Sequence, residues 1–518
     1  MPRESNSFKT PNKLLSSRFE SANMNSSEKN PSLLQALIPI GLLICMLFFN
    51  VLYFGDNTLN GANQIALTLA AAIAGIIAVR LGYSWTYVRK RIVLSIGSAM
   101  PSILILLLIG ALAGTWMISG VVPAMICYGL KLFHPSIFLF ATVVITGIVS
   151  LATGSSWSTV ATIGIALVGI GKTFGLHEGI IAGAVISGSY FGDKMSPLSD
   201  TTNLAPAMAG TDLFTHIRYM AITTTPSMIL CLLIFLVIGF NYDFQETSTD
   251  IPAVIKAIES RFTITPWLFL VPVTLIVIII KKVPPLPSIL AGSLLGGLFA
   301  IIFQPHLIAE ISGVHDNFFK ASYITVMQAM YGHVSVVTQN GMVDELLSTD
   351  GMSGMLNTIW LIMAAMIFGG TMESAGMLVR ITQSIIRFAK STGSLVATTI
   401  ATSVFFNITA SDQYISIVVP GRMFADIYRK RGYKPELLSR TLEDGGTLTS
   451  VLIPWNTCGA TQSRVLGVST WTYLPYCFFN IINPFVAIGI AHLNYKIRRY
   501  KDGEIPEKVD YDQSRLDV

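Results

Sequence analysis

Four polar interruptions in a long apolar chain hold the residues best suited to chemistry. The first is Thr153-Gly154-Ser155-Ser156-Trp157-Ser158-Thr159, and the second is Thr409-Ala410-Ser411-Asp412-Gln413. A third, Gly192 to Asn203, contains Asp193, Lys194, Ser199, Asp200, Thr201, Thr202 and Asn203. A fourth, Pro454 to Gln462, contains Asn456 and Thr457. Hydroxyl, amide and carboxylate oxygens crowded beside released backbone carbonyls are hard ligands, the kind a small cation such as Na+ prefers. The helix N-termini that such breaks expose would instead hold an anion. Residue chemistry alone leaves a cation and a carboxylate both open.

Ionisable side chains at membrane depth are costly and mark function. Here they are Asp193, Lys194 and Asp200 in the first half of the chain, and Glu373, Asp412, Glu443 and Asp444 in the second. A carboxylate in a half-dry cavity can trade a proton for a cation near neutral pH. Asp193, Asp200 and Asp412 are the expected proton-coupling groups, with Glu373, set in Phe-Gly-Gly-Thr-Met-Glu-Ser-Ala-Gly, as a fourth. Asp200 lies between Ser199 and Thr201 and is the stronger expectation for cation contact. Asp193 and Lys194 could neutralise each other. Glu443 and Asp444 read better as surface charges at a helix start. The expected ion-binding set is Thr153, Ser155, Ser156, Asp193, Asp200, Thr201, Thr202, Asn203, Thr409, Ser411, Asp412, Asn456 and Thr457. Na+ is expected to meet Asp200, Asp412, Ser155 and Asn203.

The elements that must position these residues are membrane helices. Of 518 residues, 52% are hydrophobic and only 12% charged, and mean hydropathy is +0.61. A soluble domain carries about 25% charged residues, so a large soluble enzyme and a disordered chain are both excluded. The net charge of +5 falls in short clusters between apolar runs, which is no footprint for nucleic acid. The five cysteines show no metal spacing, and the seven histidines fall mostly in loops or at segment ends. No nucleotide-binding loop, GxSxG elbow or HExxH motif is present, which argues against an ATP-driven pump and against a membrane hydrolase. No enzyme activity and no resident cofactor are expected.

A spanning helix needs about 20 apolar residues. Such segments lie near 31–54, 62–81, 92–118, 136–153, 155–171, 178–192, 218–240, 264–281, 286–304, 355–375, 393–410, 412–428, 437–457 and 471–495. Segments 119–134 and 376–390 look amphipathic and are expected along the interface. Basic clusters at Arg89-Lys90-Arg91, Lys281-Lys282, Arg387 with Lys390, Arg429-Lys430-Arg431 and Arg498-Arg499 place both termini inside. Sliding the chain by 256 positions superposes Gly114-Thr115 on Gly370-Thr371, Gly120 on Gly376, Thr153 on Thr409 and Ser155 on Ser411. A shift of 257 superposes Gly188, Pro197 and Gly210 on Gly445, Pro454 and Gly467. One single-residue gap reconciles the two. Segment 92–118 runs outward and its partner 355–375 inward, so the halves are expected to be inverted repeats, an architecture of secondary transporters with the substrate site near the midplane. The expected fold is therefore an all-α polytopic membrane protein. It has two inverted-topology repeats with re-entrant hairpins and discontinuous helices, in about 10–14 transmembrane segments. The divisions are a tail at 1–30, helices at 31–91, a first repeat at 92–240, linking helices and loops at 241–354, a second repeat at 355–495 and a tail at 496–518.

The stretch Gly188-Ser-Tyr-Phe-Gly-Asp-Lys-Met-Ser-Pro-Leu-Ser-Asp-Thr-Thr-Asn-Leu-Ala-Pro, continuing to Gly210-Thr-Asp-Leu-Phe-Thr-His-Ile, closely resembles the signature of the NhaC family of Na+/H+ antiporters. The runs at 153–159, 114–120 and 281–287 are also similar to that family, and the resemblance covers about residues 32 to 495. It implies a bacterial inner-membrane transporter of the ion-transporter superfamily fold, with both termini cytoplasmic. In that fold the tips at 153–159 and 409–413 meet the breaks at 193–203 and 454–462. The implied activity is exchange of Na+ for protons. The alternative on the same fold is a Na+-coupled exchanger or symporter of small carboxylates such as malate and lactate, or of amino acids. The partners implied are membrane lipid, Na+ and protons, with a homodimer as one assembly open to it.

Overall fold

The computed structural model describes residues 30–54, 58, 60–242, 251–338 and 340–501. Of the tails expected at 1–30 and 496–518, residues 1–29 and 502–518 lie outside the described residues, as do 243–250 in the link. The described chain is a helical membrane protein. Its single sheet is a two-stranded antiparallel pair, Val334–Ser335 with Ser348–Thr349, in the segment linking the halves.

Among the described residues, seven helices are long and apolar enough to cross a membrane. The number is nine if two bent pairs, Ile251–Arg261 with Pro266–Ile280 and Thr470–Tyr476 with Phe478–His492, are one span each. The larger expectation from sequence counts hairpin arms and broken helices, which are shorter or more polar. Glu178–Met195, for example, carries Glu178, Asp193 and Lys194 in 18 residues. The apolar side chains that face outward, among them Leu34, Ile44, Phe48 and Leu52 of Leu33–Phe54, present the hydrocarbon surface a bilayer solvates.

Two expectations about local placement change. Arg89-Lys90-Arg91 lies inside the helix Trp85–Ser98, not in a loop. The segment expected along the interface at 119–134 forms Val121–Leu132, whose Val121, Val122, Ala124, Ile126, Cys127 and Leu130 are buried. It packs on Ile165–Thr173, so protein covers the face assigned to the interface. Met377–Ile386 keeps the two-faced pattern, burying Met377, Leu378, Ile381 and Thr382.

The same order of elements occurs twice. In the first half, Pro135–Thr153 ends on Gly154 in the left-handed region, Ser155 is extended, and a new helix starts at Ser156. In the second, Thr392–Thr409 is followed by Ala410, Ser411 with φ 58° and an extended Asp412, and Gln413–Lys430 begins. Each hairpin is followed by a broken helix. Glu178–Met195 stops at Ser196, which the following Pro197 holds extended, and Asp200–Ala209 restarts behind it. Pro435–Leu442 continues through a π-helical turn, Glu443–Thr447, to Ser450, breaks around Pro454, and restarts as Thr457–Leu466.

The left-handed residues of the two halves keep one spacing. Gly154 and Ser411 are the left-handed residues of the two tips, and 411 − 154 is 257. Gly210 and Gly467, the left-handed ends of the two restarted helices, keep the same spacing. The extra residue is therefore Ala410, and Ser155 corresponds to Asp412 rather than to Ser411.

Packing between the halves is reciprocal. The second arm of the first hairpin lies on Thr457–Leu466, and the second arm of the second hairpin lies on Asp200–Ala209. Small residues make both approaches possible. A Cβ on Gly164 would come within 3.3 Å of Leu466, and one on Gly421 within 2.8 Å of Met208. Gly164 and Gly421 are themselves 257 apart.

Candidate ion-binding site

Four helices begin where the tips and breaks meet, and a side chain caps each. Ser155 accepts from the Ser158 N–H, Ser199 from Thr202, Asp412 from Ile415 and Asn456 from Cys458. Ser, Asp and Asn are the residues that best satisfy the free N–H groups of a first helical turn. Ser155 with Asp412, and Ser199 with Asn456, are equivalent positions at the 257 spacing. Several expected ligands are thus also the caps that shape the breaks.

In the first half the tip grips the break through Asp193. One carboxylate oxygen accepts from the Ser156 backbone N–H at 3.0 Å and from its hydroxyl at 2.6 Å. Thr202 donates to the carbonyls of Asp193 and Lys194 at 3.2 and 3.0 Å, fixing the end of the broken helix. Thr201 shares a hydrogen bond with Ser199 at 3.2 Å. Asn203 spans the break, donating to the Pro197 and Ser199 carbonyls at 3.0 and 2.7 Å.

The second half is held differently. The Thr457 N–H donates to the Ser411 carbonyl at 3.0 Å. The Trp455 indole donates to Ile408 at 2.7 Å, and the Asn456 amide donates to both oxygens of Asn407 at 3.1 Å. Cys458 lies 2.8 Å from Gln413. Asp412 is buried, with one oxygen accepting from Ile415 at 3.0 Å.

Asp200 joins the halves. Its carboxylate is 3.5 Å from the Tyr414 hydroxyl on the second tip. A chain of contacts therefore runs from Ser156 through Asp193, the first break, Asp200 and Tyr414 to Gln413, Cys458 and the second break. Ser155, Ser156, Asp193, Asp200, Thr201, Thr202, Asn203, Ser411, Asp412, Asn456 and Thr457 all lie on it. Thr153 and Thr409 are beside it, with hydroxyls turned back to the Ser150 and Phe405 carbonyls of their own helices. Glu373 is not on it. It pairs with Arg91, joining Leu356–Ser374 to Trp85–Ser98.

Lys194 does not pair with Asp193. It forms an ion pair with Asp444 of the other half, both fully buried. Asp444 also accepts from Asn483 at 2.6 Å and from Thr223 at 3.3 Å. The reading of Glu443 and Asp444 as surface charges is overturned: both have 0% exposure. They lie on the inner face of the π turn, where 12% charge in the whole chain gave no hint of a buried cluster. Tyr414 and Asn407 are structural members that sequence reasoning missed. The repeat register carried a signal for Tyr414, because it stands opposite Trp157 at the same 257 spacing. Asn407 was visible only as a lone amide in an apolar segment.

Comparison with known proteins gives this arrangement a family. The model of the Na+/H+ antiporter family matches residues 188–494, which include both breaks and the second tip. The chain is 36% identical over 463 residues to the malate-2H+/Na+-lactate antiporter of Bacillus subtilis, covering 89% of this chain and 94% of that protein. This chain belongs to the Na+/H+ antiporter family. It is also 36% identical to the Na+/H+ antiporter NhaC of Alkalihalophilus pseudofirmus over 461 residues, covering 89% of this chain and 96% of the relative. NhaC of Bacillus subtilis is 35% identical over 429 residues, with 83% and 92% covered. The family is one of multi-pass membrane transporters, and the helical fold agrees with it.

Proposed function

We propose that this family member exchanges Na+ for protons across the bacterial inner membrane, extruding Na+ at the expense of the proton gradient. One observation carries the reading. Asp193 and Asp412 are buried, and neither has a basic partner among the described residues, whereas Asp444 is paired with Lys194. A buried carboxylate without a countercharge costs several kcal/mol. A bound cation is left to neutralise it, and antiport follows if uptake of a proton by the protein excludes that cation.

In this reading Asp193, Asp200 and Asp412 supply charge, and Ser155, Ser156, Thr201, Thr202, Asn203, Ser411, Asn456 and Thr457 supply oxygens. Glu373, tied to Arg91, is left out. Residues 92–240 and 355–495 act as inverted repeats around the site, joined by 241–354 and preceded by 31–91, with both termini cytoplasmic. The reciprocal packing of each hairpin on the other half's restarted helix supports this. Transport draws on the two ion gradients and uses no cofactor.

The second reading is a Na+-coupled exchanger of small carboxylates. It is favoured by the similarity to the malate/lactate antiporter and by the four helix N-termini at the site. Their first-turn N–H groups already bond to Ser155, Ser199, Asp412 and Asn456, which leaves fewer donors for an anion. Proteoliposomes with an acid interior and a pH-sensitive dye separate the two. Alkalinisation on Na+ alone, absent in D412N, is the expected result. A response that needs malate or lactate together with Na+ would replace the first reading with the second.

A further inference from the structure

Behind the proposed cation site lies a second group of charges. Lys194, Arg440, Glu443 and Asp444 all have 0% exposure. Asp444 is fully engaged by Lys194, Thr223 and Asn483, and the Arg440 Nε stands 3.8 Å from its other oxygen. Glu443 is different. Neither of its oxygens makes a hydrogen bond of ordinary geometry among the described residues, and the hydroxyl that faces it is that of Thr447, one turn further on. The three Arg440 nitrogens have no hydrogen bond among the described residues, and the guanidinium lies over the Tyr219 ring at 4.6 Å. Glu443 opens the π-helical turn Glu443–Thr447. Such turns are mostly single-turn bulges within α-helices and are frequent at functional sites.

We propose that Glu443 carries the transported proton at a place separate from the cation site. The inference depends on the Na+/H+ reading above. With Glu443 ionised, two acids and two bases make the group neutral. With a proton on one Glu443 oxygen, its net charge is +1. Lys194 is bonded along the chain to Asp193, whose carboxylate holds the first hairpin tip. A positive group there opposes a cation at Asp193, and a neutral one admits it. The proton binds as an O–H on Glu443 and leaves by breaking that same bond, so cation and proton exclude each other without sharing ligands.

Around the group, Leu213–Asn241 reaches Asp444 through Thr223 and carries a buried histidine, His216, whose Nδ1 lies 2.8 Å from the Ser439 hydroxyl. The π turn packs against Thr392–Thr409, Gln413–Lys430, Pro435–Leu442, Asp200–Ala209 and Phe478–His492. Thr392–Thr409 has no ionisable Asp, Glu, Lys, Arg or His, and Phe478–His492 has only His492 at its end. Gln413–Lys430 places Arg422, Asp426, Arg429 and Lys430 in its later half. Asp200 is the first residue of its helix, and Glu436 of Pro435–Leu442 is paired with Arg498.

The test uses full-length protein in proteoliposomes and two assays: Na+-driven proton movement by dye, and 22Na+ counterflow against unlabelled Na+, which needs no proton. Wild type must show both; absence of the first refutes the Na+/H+ reading itself. E443Q is expected to lose proton movement while keeping counterflow, with a half-saturating Na+ concentration raised about tenfold. D412N is expected to lose both. Proton movement retained in E443Q, or both activities lost in folded E443Q, overturns the separate site. If E443Q does not fold, wild type is treated with a hydrophobic carbodiimide and mapped by mass spectrometry. Modification of Glu443 that Na+ suppresses in wild type but not in D412N supports the proposal, because a bound cation drives the proton off Glu443. An unmodified Glu443 in protein labelled at Asp412, or Glu443 labelling that Na+ leaves unchanged in wild type, overturns it.

Discussion

The two halves build the same frame and divide its chemistry differently. In the first, the tip offers hydroxyl and N–H donors from Ser156, and the break offers the carboxylate of Asp193. In the second, the carboxylate, Asp412, is on the tip, and the break offers Asn456 and Thr457. Each half brings one buried acid without a basic partner among the described residues, from opposite members of the hairpin–break pair. In the proposed reading, a cation between them meets acid from both halves. Similar backbone geometry in the two halves is therefore kept while the acidic and polar residues on it trade places.

The strongest way to break this comparison is D412N. Asn caps a helix about as well as Asp, so the second tip should fold unchanged. The charge is lost, and Na+-driven transport should fall by about 100-fold or more, as for loss of a hydrogen-bonded buried charge worth ~3 kcal/mol. Unchanged transport would remove Asp412 from the site.

The corresponding change in the first half is smaller. S156A removes the 2.6 Å hydroxyl bond to Asp193 and leaves the backbone N–H bond. Half-saturating Na+ should shift by about tenfold, the scale of one charge-assisted hydrogen bond. A shift as large as that of D412N would mean the first tip, not the second, dominates binding.

The frame itself can be tested at its two left-handed residues. Gly154 has φ 71°, and a Cβ there would lie 2.6 Å from the Leu198 backbone carbon. Ser411 has φ 58° and carries a side chain in that region. S411G should raise thermal stability by up to about 1 kcal/mol, whereas G154A should lower it by more. Thermal melts in detergent would show opposite signs. The same sign at both positions would contradict the equivalence of the tips.

The smallest effect concerns a clamp found in the second half. Asp350 accepts from Arg464, at the end of Thr457–Leu466, and from His333, each at 2.9 Å. The equivalent of Arg464 at the 257 spacing is Ala207, which has no charge. The hydrogen bond to His333, then Arg464, holds the Asp350 carboxyl below its usual range. A depressed carboxylate contributes stability above its unfolded value, about 3.9, and loses it as pH falls through the folded value. Asp350 is half exposed, so D350N should cost only about 0.5 kcal/mol at pH 7. That difference should close when melts are repeated below about pH 4. A difference unchanged with pH would show that the clamp is not ionic.

Much of the frame was legible because it depends on local rules. Apolar runs, Pro197, Pro454 and the Gly, Ser and Asn caps set where helices run and stop, and they leave a mark in any linear reading. The register was readable to within one residue. Its gap at Ala410 was not, because Ser155 against Ser411 scores as an identity while the backbone pairs Ser155 with Asp412. Which acids face a base was also out of reach. Asp193 and Lys194 are neighbours in the chain, yet consecutive side chains on a helix point to different faces, so one meets the tip and the other meets Asp444.

The sequence by itself determined a polytopic helical protein, its interruptions and the oxygen-rich residues within them, because burial in lipid and backbone satisfaction constrain each segment separately. Only the tertiary structure decided that Lys194 belongs to Asp444, that Glu443 is buried without an ion pair among the described residues, and that Glu373 belongs to Arg91. Those choices depend on which helix faces meet across 250 or more residues. A buried charge is stabilised or left bare by the neighbour that packing brings to it, not by its place in the chain.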